Sequence, residues 1–199
     1  MDAIGRAGLR LNLLRQQAQA GDLTLLFEDE SEALTHPYLA HVWAPRGADL
    51  RVEAPGQSKK IAILGAKNAA SGELHVVTST TKRSSDFVML LELLDREYGP
   101  GSAHADLPVV LVLDNGPIHV SKLSTAALAA RPWITVEWLP KYAPELNDIE
   151  RDWMHLKRHH LANHIWRDVR QLEQQIHSSV AAITRSRAQR PLVESKHAA

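Results

Sequence analysis

The run V-V-L-V-L at Val109–Leu113 contains no polar residue. A strand with one wet face alternates apolar and polar side chains, whereas a strand without alternation is covered on both faces. The run stops at Asp114-Asn115-Gly116, a strong turn signal. A chain holding such a strand needs a sheet interior for it and helices above and below.

The rest of the sequence supplies those parts. Apolar spacing and breakers predict helices over Ala3–Ala20, Ser84–Tyr98, Ser121–Ala130, Ile149–Asn163 and Val169–Ile183. Ser84 or Ser85 is the expected cap of the second, and Gly99-Pro100-Gly101 its stop. Strands are expected at Leu23–Phe27 and Ile134–Trp138, with a hairpin of Lys60–Ala66 and Glu73–Thr78 turning through Asn68–Gly72. His41–Trp43 and Leu50–Val52 read as two further short strands around a Pro45-Arg46-Gly47 turn. The order, strands first and then strand and helix in alternation, implies an α/β fold with a mixed sheet. At 199 residues, without repeats or low-complexity linkers, one domain is the economical reading. Its expected limits are an N-terminal helix and linker at 1–22, the α/β domain at 23–184 and a polar tail at 185–199.

Hydrophobic content of 44% and charged content of 23% are those of an ordinary globular domain. No cysteine is present, which excludes disulfides and thiolate metal sites and fits a reducing compartment. Neither a signal peptide nor a membrane span is expected, so the reading is cytoplasmic. Net charge is zero but uneven. Residues 1–150 carry 14 basic against 19 acidic residues, a net of −5, and residues 151–199 carry 9 against 4, a net of +5. An acidic body with a basic C-terminal part suits a metal site beside a phosphate-contacting surface, although solvated helix faces give the same pattern.

Three acidic stretches stand out: L-L-F-E-D-E-S at Leu25–Ser31, L-D-N-G-P-I-H at Leu113–His119 and Y-A-P-E-L-N-D-I-E-R-D-W at Tyr142–Trp153. Asp29 and Asp114 end predicted strands, and in open α/β sheets ligand sites lie at the carboxyl ends of strands. Glu150 opens a predicted helix. Three carboxylates from separate segments can hold two hard divalent ions such as magnesium. Each residue also has a structural reading. Asp after a strand is often a turn residue, the Glu28-Asp29-Glu30 cluster leaves the acid open, and Asn147 with Glu150 has the spacing of a capping box. His155, His159, His160 and His164 include pairs at zinc-binding spacing, but Lys157 and Arg158 oppose a cation there. No nucleophile-elbow, Walker or dinucleotide motif is present.

D-E-S, W-A-P-R-G at Trp43–Gly47, L-D-N-G-P-I-H and L-P-K-Y-A-P-E-L-N-D-I-E-R-D-W-M-H-L-K together resemble the catalytic domain of mariner-type DDE transposases, nearest the bacterial insertion-sequence branch. The resemblance runs from Leu23 to Asn163, and the 35 residues between Asp114 and Glu150 are close to that family's separation. It implies a ribonuclease H-like fold, a five-stranded mixed sheet with helices on both faces. It implies metal-dependent cleavage and strand transfer of DNA by two magnesium ions, replaceable by manganese, on Asp29, Asp114 and Glu150. It also implies a homodimer on transposon-end and target DNA in the bacterial nucleoid. Arg46, Asn115, His119, Lys157 and Arg158 are candidate DNA contacts. Asn115 and His119 have a second role open to them, orienting Asp114. Trp153 and Leu156 read as core with Ile149, Trp43 as core or groove wall, and Lys157 as a solvated lysine or a phosphate contact. Asp148 stands where the family usually has proline and adds charge near the acids. About 20 residues precede the first strand, too few for the family's helix-turn-helix modules, so the chain is expected to be the second half of a split reading frame, a truncated copy or an excised domain, with end recognition outside it, a separately encoded helix-turn-helix module being one option. A non-catalytic remnant that regulates by binding DNA or dimerising, and a nuclease of the same fold acting on RNA–DNA hybrids or junctions, remain alternatives.

Overall fold

The computed structural model describes residues 2–52 and 56–189. Five strands, β1 (Thr24–Leu34), β2 (Lys60–Asn68), β3 (Leu74–Ser79), β4 (Val109–Leu113) and β5 (Ile134–Trp138), form one sheet in the order β3-β2-β1-β4-β5. β1 to β3 are antiparallel, while β4 and β5 run parallel to β1. β4 lies between β1 and β5 and is buried along its whole length, as its composition requires.

Five α-helices cover the sheet: α1 (Ala3–Ala20), α2 (Ser84–Tyr98), α3 (Lys122–Ala129), α4 (Glu150–Leu156) and α5 (Val169–Ala188). One core joins Leu11 and Ala18 of α1, Trp153 and Leu156 of α4, and Leu172, Ile176, Val180 and Ile183 of α5 to Leu25, Phe27 and Val112 of the sheet. The other joins Phe87, Leu90, Leu91 and Leu94 of α2 to Leu26, Leu64, Leu111 and Leu113. Period-two alternation along each strand divides the two sets. This is the expected five-stranded mixed sheet with helices on both faces.

Several boundaries differ from the sequence reading. β1 extends to Leu34, past the expected Phe27, because β2 pairs with it from Leu26↔Asn68 to Leu34↔Lys60. Asp29 therefore sits inside a strand, not at its end. The His41–Trp43 and Leu50–Val52 strands do not form. Thr35 N–H donates to the Lys59 carbonyl at 2.9 Å, and residues 36–52 run outside the sheet. Trp43 is 105% exposed and belongs to no core. α2 begins after Arg83, with the Asp86 carboxylate accepting the Arg83 N–H at 2.7 Å, so neither serine caps it. The fourth helix widens into a π-helical turn at Lys157–Leu161, and α5 runs on to Ala188. The tail beyond Gln189 lies outside the described residues.

Candidate metal and nucleic-acid site

The sheet register brings two of the acids together. β1 and β4 pair in parallel from Thr24↔Val109 to Phe27↔Val112. Carried two residues further, the same register sets Asp29 beside Asp114, where β4 has ended and β1 continues. Asp29 shares the sheet face of Leu25 and Phe27, on which α4 packs, and Glu28 and Glu30 point to the α2 face. Alternation thus decides which acid of the E-D-E cluster faces α4. Glu150 occupies the first turn of that helix. Asp29, Asp114 and Glu150 line one cleft of about 1160 Å³, together with Lys82, Lys157, Arg158 and His159.

Glu150 is free of the capping role its spacing allowed. No side chain caps α4, and the Asn147 amide instead donates to the Glu28 carbonyl at 2.8 Å, tying the approach to α4 onto β1. Asp148 is turned away from the acids. Arg15 of α1 grips it with two hydrogen bonds of 3.0 Å. On the next turn Asp152, 2% exposed, is held by Lys67 at 2.9 Å and by Arg187. The helix that carries Glu150 is therefore anchored to β1, β2, α1 and α5.

The two aspartates have different surroundings. Burial, then the charge of Glu150, pushes Asp29 up to about 7. Among the described residues, its side-chain donor is the Trp153 indole N–H, 3.1 Å from Oδ2. The Trp153 ring packs against Gly65, the residue paired with Asp29 across β1 and β2, where an added Cβ would meet the ring at 2.5 Å. Trp153 is core, as expected, and also a partner of Asp29. Asp114 is held below its ordinary value, first by a hydrogen bond from His119. His119 Nδ1 and the Gly116 N–H each lie 2.7 Å from Asp114 Oδ1.

His119 is 1% exposed, so it cannot serve as a DNA contact; its orienting role has the geometry. Beyond its ring lie Glu28 Oε2 at 2.9 Å and Glu30 Oε1 at 3.3 Å from Nε2. Burial opposes a charge on His119, but the Asp114 bond and the nearby Glu28 carboxylate outweigh it and push the ring up to about 10. Burial raises Glu28 in spite of His119, and Glu30 is raised by burial and by Glu28. Among the described residues, the acids and histidine whose ligand atoms all lie within 4.8 Å of one another are Glu28, Glu30 and His119, behind the cleft; Asp29, Asp114 and Glu150 share the cleft without coming that close together. The sequence reading missed the cluster behind the cleft, because glutamates inside a strand look like surface residues.

The other candidates are spread out. Asn115 donates to the Leu139 carbonyl at 2.6 Å and shapes the loop after β4. Lys157 is half-buried, not fully solvated; burial lowers its pKa against the pull of Glu150, Glu32 and Asp29. Arg158 is exposed on the cleft wall. Arg46 sits on an exposed turn and is not part of the cleft lining. Asn163 closes the π-helical turn, its side chain bonding the Ala40 N–H at 3.0 Å and the Ala40 carbonyl at 3.1 Å. This fastens the segment around Ala40 beside the cleft.

Comparison with known proteins agrees with this geometry. The profile of the DDE superfamily endonucleases matches residues 24–173. The insertion element IS630 uncharacterized 39 kDa protein of Shigella sonnei is 30% identical over 146 residues, 71% of this chain and 41% of that protein. The chain thus spans about two-fifths of that relative. The Mos1 transposase paired-end complex with the left transposon end superposes with a TM-score of 0.60 at 16% identity, over 91% of this chain and 56% of that one. The Mos1 catalytic domain solved with Raltegravir and manganese gives 0.57 at 15% identity, over 90% of this chain and 82% of that one. Those two likenesses are of fold, the ribonuclease H-like sheet. The chain belongs to the DDE superfamily endonucleases and is related to the insertion element IS630 protein.

Proposed function

We propose that the chain is the catalytic domain of a transposase that breaks and rejoins DNA phosphodiester bonds, with two magnesium ions held by Asp29, Asp114 and Glu150. One observation carries the reading: three carboxylates from β1, the end of β4 and the start of α4 share a cleft in which Asp29 is pushed up to about 7 by burial and Glu150. Carboxylates that oppose each other's ionisation are stabilised together by added positive charge. An all-oxygen donor set suits magnesium, and manganese can replace it.

Bound there, the ions would polarise the scissile phosphate, turn water or a 3′-hydroxyl into a nucleophile and stabilise the leaving oxygen. The chain's residues hold the frame. Asp114, with Oδ1 engaged by His119 and Gly116, offers Oδ2 to the cleft. Asp29, with Oδ2 engaged by Trp153, offers Oδ1. Lys157 and Arg158 on the cleft wall meet the DNA backbone, and Arg46 extends that contact beyond the cleft. The Mos1 complexes with transposon DNA, and with magnesium or manganese, support DNA as substrate and these ions as cofactors.

The test is a nicking assay on supercoiled DNA with magnesium or manganese, run beside an RNA–DNA hybrid. DNA nicking that requires the metal and disappears in Asp114→Asn is the expected result. Undiminished nicking by Asp114→Asn would sink the assignment, and cleavage confined to the hybrid would redirect it to another nuclease.

A further inference from the structure

The cluster behind Asp114 contains a carboxylate with no structural reason to be there. Glu28 is 0% exposed, and neither of its side-chain oxygens has an aligned hydrogen-bond partner. A buried carboxylate is costly to a fold unless a neighbour compensates it. Its nearest polar neighbour is His119, with Oε2 lying 2.9 Å from Nε2. The far nitrogen of the same ring lies 2.7 Å from Asp114 Oδ1. Phe87 packs edge-on against the ring at a centroid distance of 4.8 Å and fixes its plane.

We propose that Glu28 is a positioning residue for Asp114, acting through the His119 ring; this rests on the reading of Asp114 as a metal ligand. Two bare acceptors do not sit 2.9 Å apart, so a proton lies between Nε2 and the Glu28 carboxylate. The 2.7 Å contact of Nδ1 with Asp114 Oδ1 requires a second proton by the same reasoning, so Nδ1 is the N–H that donates to Asp114, whether Nε2 or Glu28 carries the first. Without Glu28, the neutral ring is free to carry its single proton on Nε2, which turns a lone pair toward Asp114 Oδ1. Glu28 thus selects the donor that, with the Gly116 N–H, locks one Asp114 oxygen and leaves the other for a ligand. A carboxylate behind a histidine is a common way to set ring orientation at metal sites; here the histidine grips a carboxylate ligand instead of the ion.

The experiment measures manganese binding by calorimetry and unfolding temperature without metal, for wild type, Glu28→Met and Glu28→Gln. Glu28→Met is expected to weaken manganese binding about 10- to 100-fold, while the metal-free melt shows a folded protein. Glu28→Gln keeps a donor, its amide N–H, for a lone pair on Nε2, so the ring proton stays on Nδ1, and it is expected to bind manganese within about threefold of wild type. In a His119→Asn background, Glu28→Met adds no further loss. Unchanged manganese affinity in a folded Glu28→Met overturns the proposal. So does an equal loss in Glu28→Gln, which makes Glu28 itself a ligand of a cation in the Glu28, Glu30 and His119 cluster. Should Glu28→Met not fold, the His119→Asn variant decides, since affinity equal to wild type there also overturns it. Asp114→Asn is the control. If that variant binds manganese like wild type, the reading of Asp114 fails first; if binding is lost there but kept in Glu28→Met, only the positioning role fails.

Discussion

Asp29 and Asp114 stand at the same level of neighbouring strands, yet the fold treats them in opposite ways. Asp114 follows β4, its side chain is 51% exposed, and two N–H donors grip one of its oxygens. It is held ionised. Asp29 lies inside β1, mostly buried, with Glu150 nearby and the Trp153 N–H as its side-chain donor. It is held close to neutral. One carboxylate is ready before a cation arrives, and the other becomes comfortable as an anion only when one does. A site arranged this way couples occupancy to charge: the fold carries the electrostatic strain at Asp29 and keeps Asp114 as the fixed point.

The largest expected effect tests that contrast through pH. Asp29 moves from an ordinary 3.8 to about 7 in the folded chain. Between those values the unfolded chain has released its proton and the folded chain has not, so stability falls as pH rises, and the penalty is complete above about 7. Three units correspond to at most about 4 kcal/mol. Asp114 works in the other direction: its depressed pKa supplies stability that is present above about pH 4 and is lost as pH falls through its folded value. Urea unfolding of Asp29→Asn against wild type should therefore give equal stability near pH 4 and a growing advantage to the variant up to pH 8. Manganese should stabilise the wild type more at pH 8 than at pH 5. A flat difference curve would mean that Asp29 carries no such strain.

A second way to break the contrast acts on Asp29 alone. The Gly65 Cα faces the Trp153 ring so closely that an alanine Cβ would stand 2.5 Å from it. Gly65→Ala must displace the indole or bend β2, at an expected loss of about 1–3 kcal/mol. The displaced indole releases Asp29 while the His119 bond to Asp114 stays intact. Denaturation should show the loss, and manganese titration should show weaker binding. Wild-type stability in Gly65→Ala would show that the ring moves aside freely.

How much of this was legible depended on how local the signal was. V-V-L-V-L, the hairpin and the amphipathic helices were readable because burial period and turn residues lie within a few positions of each other. β1 was read seven residues short, because E-D-E-S-E is polar and alternation assigns such residues to solvent. Here Glu28 and Glu30 are the inward residues. The three acids were found by their order and spacing, which survive in sequence. Their partners were not, because Trp153 reaches Asp29 across 124 positions and Asn147 reaches Glu28 across 119. The expected capping box at Asn147 and Glu150 yielded to that longer bond: a buried carbonyl outranks an exposed cap, since it has no water to turn to. Trp43, apolar and flanked by β-formers, lies outside the sheet.

The smallest effect isolates a single hydrogen bond. Trp153→Phe keeps an aromatic plate against Gly65 but removes the N–H that reaches Asp29 Oδ2. That bond favours the ionised carboxylate, so its loss pushes Asp29 further up. The variant should lose about 1 kcal/mol near pH 8, where Asp29 is charged, and less near pH 5, where it is protonated. The cavity left by the smaller ring is the same at both pH values, so the difference between them reports the bond alone. Manganese binding should weaken in Trp153→Phe, and Asp114 should be unaffected because its donors come from its own loop. A loss of equal size at both pH values would make Trp153 a packing residue only, and would leave burial and Glu150 as the whole account of why the two aspartates differ.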